Sequence, residues 1–263
     1  MASFHVIADA RGELARVDVH RISPADVLDA LRLGFEDFWE KPSHYFFLCL
    51  IYPVAGVILI TWASTGNAQQ LVFPIIAGFA LLGPLAALGP YEISRRRELG
   101  LDSSWRHAVD VRKSPALPAI IAFGLVLVLV FMAWLLAAQA LYVWFYGPAP
   151  PESLTGLMRD VLTTRRGWGL LVAGGLTGFV FALAVLTTSV VTFPLRLDRD
   201  VGVYAAVNAS VRLALKNPVP ILLWGFIVAV LLAIASLPLL VGLALVIPIL
   251  GHATWHLYRK AVA

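Results

Sequence analysis

The sequence predicts an all-α, polytopic membrane protein with six transmembrane helices arranged as three two-helix repeats. Each odd-numbered span is preceded by a short cytoplasmic amphipathic helix. Three observations predict this. The 263 residues are 60% hydrophobic and 14% charged, with a mean hydropathy of +0.83, whereas soluble domains are roughly 45–50% apolar and about 25% charged. Several uncharged stretches reach the ~20 residues needed to cross a hydrocarbon layer of about 30 Å. The cations lie between those stretches and fall overwhelmingly in alternate connections.

The first element is a charged N-terminal segment, residues 1–44, without a signal-peptide pattern, and it is expected to stay on the side of synthesis. Within it, Ser23-Pro24-Ala25-Asp26 reads as a capping box with proline at the first helical position. Leu28, Leu31, Phe35, Phe38 and Trp39 follow at helical spacing and predict the apolar face. The polar face carries Asp26, Asp29, Glu36, Asp37 and Glu40. Surface helices that seek anionic lipid carry cations there instead, so this one is expected to dock on its own bundle or on a partner.

The six-helix domain spans residues 45–258, with spans predicted at 45–63, 71–91, 117–146, 168–195, 218–236 and 238–258. The last two come from one uncharged stretch broken at Ser236-Leu237-Pro238, because proline lacks a donor and disfavours helix in the residue before it. A single long tilted helix with a re-entrant piece is the competing parse. Residues 259–263 form a short tail. Between the third and fourth spans, Leu154, Leu157, Met158, Val161 and Leu162 predict a helix lying in the opposite interface.

Orientation follows from the cations. Five lie in the N-terminal segment, six between residues 92 and 114, four between 196 and 217, and two in the tail; only Arg159, Arg165 and Arg166 lie on the other side. Both termini are therefore predicted to be cytoplasmic, in a bacterial inner membrane. The junctions "WEKPSHYFFL", "RKSPALPAII" and "KNPVPILLWG" repeat one design around Pro42, Pro115 and Pro218: surface helix, cation, proline, span. The second surface helix offers Trp105, Ala108 and Val109, and the third Val203, Val207, Val211 and Leu215. Lys216 is placed to neutralise a helix C-terminus and sit among headgroups.

Candidate functional residues are few. Gly174, Gly178, Thr188 and Thr192 share one face of the fourth span with Thr177 at its edge, as a packing face or a polar strip along a permeation path. Pro74, Gly78, Gly83 and Pro84 predict a broken second span, which marks either kinked packing or a substrate site. His252 and His256, four apart, and His44 at a similar depth are candidate metal or haem ligands or interfacial hydrogen-bonding groups. No other cofactor is expected. The lone Cys49 excludes an intrachain disulfide. No charged residue lies deep in a predicted span, as ion-coupled pumps require.

The stretches "FHVIADARGELARV", "FPIIAGFALLGPLAALGPYEISRRRELG", "FPLRLDRDVG" and "ILGHATWHLYRK" resemble a proteobacterial family of integral membrane proteins that carries a domain of unknown function. The resemblance implies a multi-pass inner-membrane protein and transfers no site residue. The expected role is a non-enzymatic membrane component: a scaffold, assembly factor or regulator. The alternatives are a facilitator of a neutral or amphipathic small molecule and a haem- or metal-binding protein. The expected partners are the lipid bilayer, other membrane proteins or a second copy, and not nucleic acid.

Overall fold

The structure is a computed structural model that describes residues 17–40, 51–65, 68–238 and 240–262. The described chain is helical, with a single isolated antiparallel bridge between Val19 and Val262. His44, Cys49 and the start of the first predicted span lie outside the described residues.

Surface helix α1, Pro24–Glu40, begins as its sequence predicts. The Ser23 N–H donates to Asp26 Oδ2 at 2.8 Å, and the Asp26 N–H donates to Ser23 Oγ at 3.3 Å, which closes a capping box. Its buried face differs from the expected one. Val27, Ala30, Gly34 and Phe38 point inward, while Leu28, Phe35 and Trp39 are exposed. The reason is steric: α1 approaches its neighbour so closely that small residues must occupy the contact.

Helix α2, Ile51–Thr65, precedes a broken span. That span runs through a short 3₁₀ turn, α3 (Val72–Gly78), a second 3₁₀ turn Phe79–Leu82, α4 (Gly83–Ala86) and α5 (Leu88–Glu98). The break falls at the expected Gly and Pro positions. The 3₁₀ helix Trp105–Lys113 follows, with Ala108 and Val111 buried and Trp105 and Val109 exposed. Val109 therefore faces away from the bundle. At three residues per turn the inward side recurs at i, i+3, so an α-helical wheel misplaces it.

Helices α6 (Leu117–Tyr146), α7 (Leu154–Thr163) and α8 (Arg165–Ser189) come next, followed by α9 (Thr192–Asp198) after a two-residue interruption. The interruption lies within a run of back-bonded hydroxyls. Thr187, Thr188 and Ser189 each donate to the carbonyl four residues earlier, a pattern that bends helices. Then come α10 (Val203–Lys216), α11 (Pro218–Ser236) and α12 (Leu243–Ala261). α11 and α12 are two helices packed on each other.

Among the described residues, four segments are long and apolar enough to cross a membrane: Gln69–Glu98, Leu117–Tyr146, Arg165–Asp198 and Pro218–Ser236. Two of them continue past the uncharged stretch, carrying Glu92 and Arg196 into the protein interior. The absence of charge thus holds for the middle of the spans and not for their cation-rich ends.

The inner ends of α5, α9 and α12 pack on one another. Each also carries a surface element: the 3₁₀ helix Trp105–Lys113 lies on α5, α10 lies on α9, and α1 lies on α12. The chain ends are joined there. The His20 N–H donates to the Ala261 carbonyl at 2.8 Å. Asn217 accepts from the Ile22 N–H at 2.8 Å and donates to the His20 carbonyl at 3.0 Å. Lys216 donates to the Val19 carbonyl at 2.7 Å, so its ammonium also holds the N-terminal segment.

Candidate functional site

Asp37 stands on the flank of α1, between α12 and α5. The i, i+4 spacing of His252 and His256 puts both rings on one side of α12, and both turn toward this carboxylate. His256 Nε2 lies 2.9 Å from Asp37 Oδ2 and His252 Nδ1 lies 4.0 Å away. From α5, Ser94 Oγ donates to Asp37 Oδ2 at 3.2 Å, and Arg97 pairs with Asp37 Oδ1 at 3.0 Å. Arg97 also pairs with Glu40. Three helices thus meet on one carboxylate.

The proton order follows from donor capacity. A serine hydroxyl has one hydrogen. With that hydrogen on Asp37, Ser94 Oγ accepts from His252 Nδ1, 2.7 Å away, which assigns the ring proton to Nδ1. Burial pushes the Asp37 carboxyl up, but the hydrogen bond from His256 and the neighbouring positive charges outweigh it and hold the group below its ordinary value. It is therefore an ionised acceptor at neutral pH.

Serine, histidine and aspartate together suggest a nucleophile with its base, but the order is wrong. Here the carboxylate touches the serine directly, whereas a catalytic set uses it to orient the far side of the ring. Ser94 is 3% exposed, and the adjoining cavity of about 30 Å³ has room for little more than a water. Among the described residues no group of three His, Cys, Asp or Glu side chains converges as a metal would require. His252 and His256 bind Ser94 and Asp37 instead, and His44 lies outside the described residues.

A second polar group lies beside the first. Glu92, buried in α5, receives a forked pair of 2.9 Å bonds from Arg95. Tyr258 donates to Asp198 and Trp255 to Glu98, tying α12 to both neighbours.

The glycine and threonine candidates lie apart from this junction, Gly78 and Gly178 around Trp134 and Thr188 and Thr192 toward α10. An added Cβ on Gly178 would meet the Trp134 ring at 3.2 Å, and one on Gly78 would meet Phe131 at 2.6 Å and Trp134 at 2.8 Å. Trp134 of α6 is thus held between the broken span and α8, with its ring edge on Phe181. Its Nε1–H donates to the Pro74 carbonyl at 2.8 Å, which ties α6 to the broken span. Thr188 donates to the Ala184 carbonyl of its own helix at 2.7 Å, and Thr192, at the head of α9, donates to the Thr188 carbonyl of α8 at 2.6 Å. Gly174 and Gly83 meet nothing within 4 Å, and Thr177 is half-buried. Pro84 sits at the head of α4.

Sequence reasoning missed Asp37 as a partner of the histidines, and it missed Ser94, Arg97 and Trp134 entirely. Only the acidic face of α1 hinted at the first.

This fold, apolar outside and polar where surface helices meet span ends, is that of an integral membrane protein. Residues 72–198, from α3 through α9, match the model of the family described as "Predicted integral membrane protein (DUF2189)". No curated protein and no solved structure matches the chain.

Proposed function

We propose that the chain is a non-enzymatic inner-membrane component, a scaffold or assembly factor, that crosses the bilayer six times with both termini cytoplasmic. The observation that carries this reading is the sealing of the cation-rich end. Asp37, His252, His256, Ser94 and Arg97 lock α1 across the ends of α12 and α5. The motifs that a facilitator would use are already spent internally: the Thr188 and Thr192 hydroxyls on the Ala184 and Thr188 carbonyls, and the Pro74 carbonyl on Trp134. The inaccessibility of Ser94 likewise favours a structural role for the histidine cluster over a catalytic one.

Three repeated units are supported by the packing order. Each surface element lies on the inner end of the unit before it, and α1 closes the ring on the last unit. The registers agree as well. Ala30, Gly34 and Phe38 are buried at the same distances before Pro42 as Ala206, Ser210 and Ala214 before Pro218. Leu28 and Trp39 are exposed where Tyr204 and Leu215 are.

Such a component works through neighbours: lipid, other membrane proteins or a second copy, with no role for nucleic acid. Affinity purification from native membrane followed by mass spectrometry is the test. A stoichiometric membrane-protein partner or a homo-oligomer is expected, and recovery of the isolated monomer alone contradicts the proposal.

A further inference from the structure

A cleft of about 370 Å³ opens at the cation-rich end, between α5, α9 and the head of α6. Arg95 and Arg96 line it from α5, Lys113 from the end of the 3₁₀ helix, and Arg196 and Arg199 from the end of α9 and beyond. The acids in the wall are already engaged. Glu92 holds Arg95, Asp110 holds Lys113 at 2.7 Å, Asp198 receives Tyr258 and Arg259, and Asp200 lies 3.6 Å from Arg196. Each guanidinium brings five N–H donors and no acceptor, so the wall is richer in donors than in acceptors.

Arg196 makes this imbalance specific. It is 3% exposed, its Nη1 donates to the Val201 carbonyl, and its Nε has no hydrogen-bond partner among the described residues. An unsatisfied buried donor, on a charged group above all, is costly, and such groups in native proteins call for an explanation. Nε lies on the edge that arginine presents bidentately to carboxylate or phosphate. The positive end of the 30-residue helix α6 also meets the cleft, through Ser114, Pro115 and Ala116.

We propose that this cleft binds a phosphate-bearing anion, with Arg196 as its buried anchor and Arg95, Arg96, Lys113 and Arg199 around it. Tetrahedral oxyanions accept from several directions at once, which suits donors converging from three segments. The cleft volume accommodates a small phosphate ester or the headgroup of an anionic phospholipid. Its place at the cation-rich end of the spans, where basic pockets meet headgroups, is compatible with either source.

The test is thermal unfolding of the detergent-purified full chain, titrated in three arms: inorganic phosphate, phosphatidylglycerol in phosphatidylcholine mixed micelles, and phosphatidylcholine alone. Saturable stabilisation by phosphate supports the site with a soluble source. Saturation by phosphatidylglycerol but not by phosphate supports it with a lipid source. Arg196→Gln is expected to weaken the binding about tenfold or more, as loss of a charge-assisted bond implies. Because Arg196 is buried, the exposed pair Lys113→Gln/Arg199→Gln serves as the second variant; it keeps the fold and should bind several-fold more weakly with a shallower salt dependence. Arg165→Gln, at the opposite end, should bind like the wild type. No saturation in either anionic arm, or wild-type affinity in both cleft variants, overturns the proposal.

Discussion

Gly34 of α1 lies directly on the backbone of α12: a Cβ built there would stand 2.4 Å from the amide nitrogen of Ala253. No side chain fits that gap, and backbone atoms cannot give way as a flexible side chain can. The contact explains why α1 turns its small residues inward and leaves Phe35 stacked on Trp39 outside, with ring centroids 5.6 Å apart. Gly34→Val should destabilise the protein by about 1–3 kcal/mol, the usual cost of forced overpacking. Hydrogen exchange should rise first across Pro24–Glu40. Gly83→Ala, where nothing lies within 4 Å, should be neutral or slightly stabilising.

Asp37→Asn tests the carboxylate at the three-helix junction. The amide keeps the shape but loses the charge that His256 and Arg97 address, so a loss of about 2–3 kcal/mol is expected in detergent unfolding. The pH dependence has a definite sign. The folded Asp37 titrates below its ordinary 3.8, so its contribution is complete above that value and is lost as pH falls through the folded one. The variant should therefore show a flatter acid limb than the wild type below the ordinary 3.8.

His107 predicts the opposite slope. Its ring lies between Asp110 at 2.5 Å and Asp102 at 3.0 Å, and the hydrogen bond to Asp110 followed by that to Asp102 raises its affinity for a proton despite Arg96 nearby. A raised folded value means that the stabilisation is complete below 6.5 and fades as pH climbs through the higher folded value. Amide exchange in Trp105–Lys113, corrected for intrinsic rate, should accelerate between neutral and mildly alkaline pH. His107→Gln should remove that step.

Trp134→Phe keeps most of the apolar volume between Gly78 and Gly178 but removes the donor to the Pro74 carbonyl. A cost of about 1 kcal/mol is expected for the lost hydrogen bond. Trp134→Ala should cost more, about 3–5 kcal/mol, because it also empties the space between the broken span and α8.

Helices α6 and α11 were legible to the residue, since each begins beside a proline and ends at a breaker, Gly147 for α6 and the Leu237-Pro238 step for α11. The capping box of α1 was legible for a similar reason: all its atoms lie within four residues. Faces were harder. In water, an apolar stripe points inward; beside lipid it can point either way, so Leu28 and Trp39 misled where Ala30 and Gly34 did not stand out. The 3₁₀ period of Trp105–Lys113 left no compositional mark. The His252/His256 pair was visible on one helix, but Asp37 is more than 200 residues distant in sequence and comes near only through the closure of the first unit on the last. The cleft anchor Arg196 was counted as a flanking cation because burial is a property of the packed ends, not of the local sequence.

The central claim is that the surface helices and both termini share one, cytoplasmic, side of a six-span bundle. In-frame reporters inserted after Asp102 and after Ala149 in a bacterial host test it most directly. A fluorescent-protein reporter should be active at Asp102 and a periplasm-dependent phosphatase at Ala149. Phosphatase activity at Asp102, or cytoplasmic fluorescence at Ala149, would contradict the account.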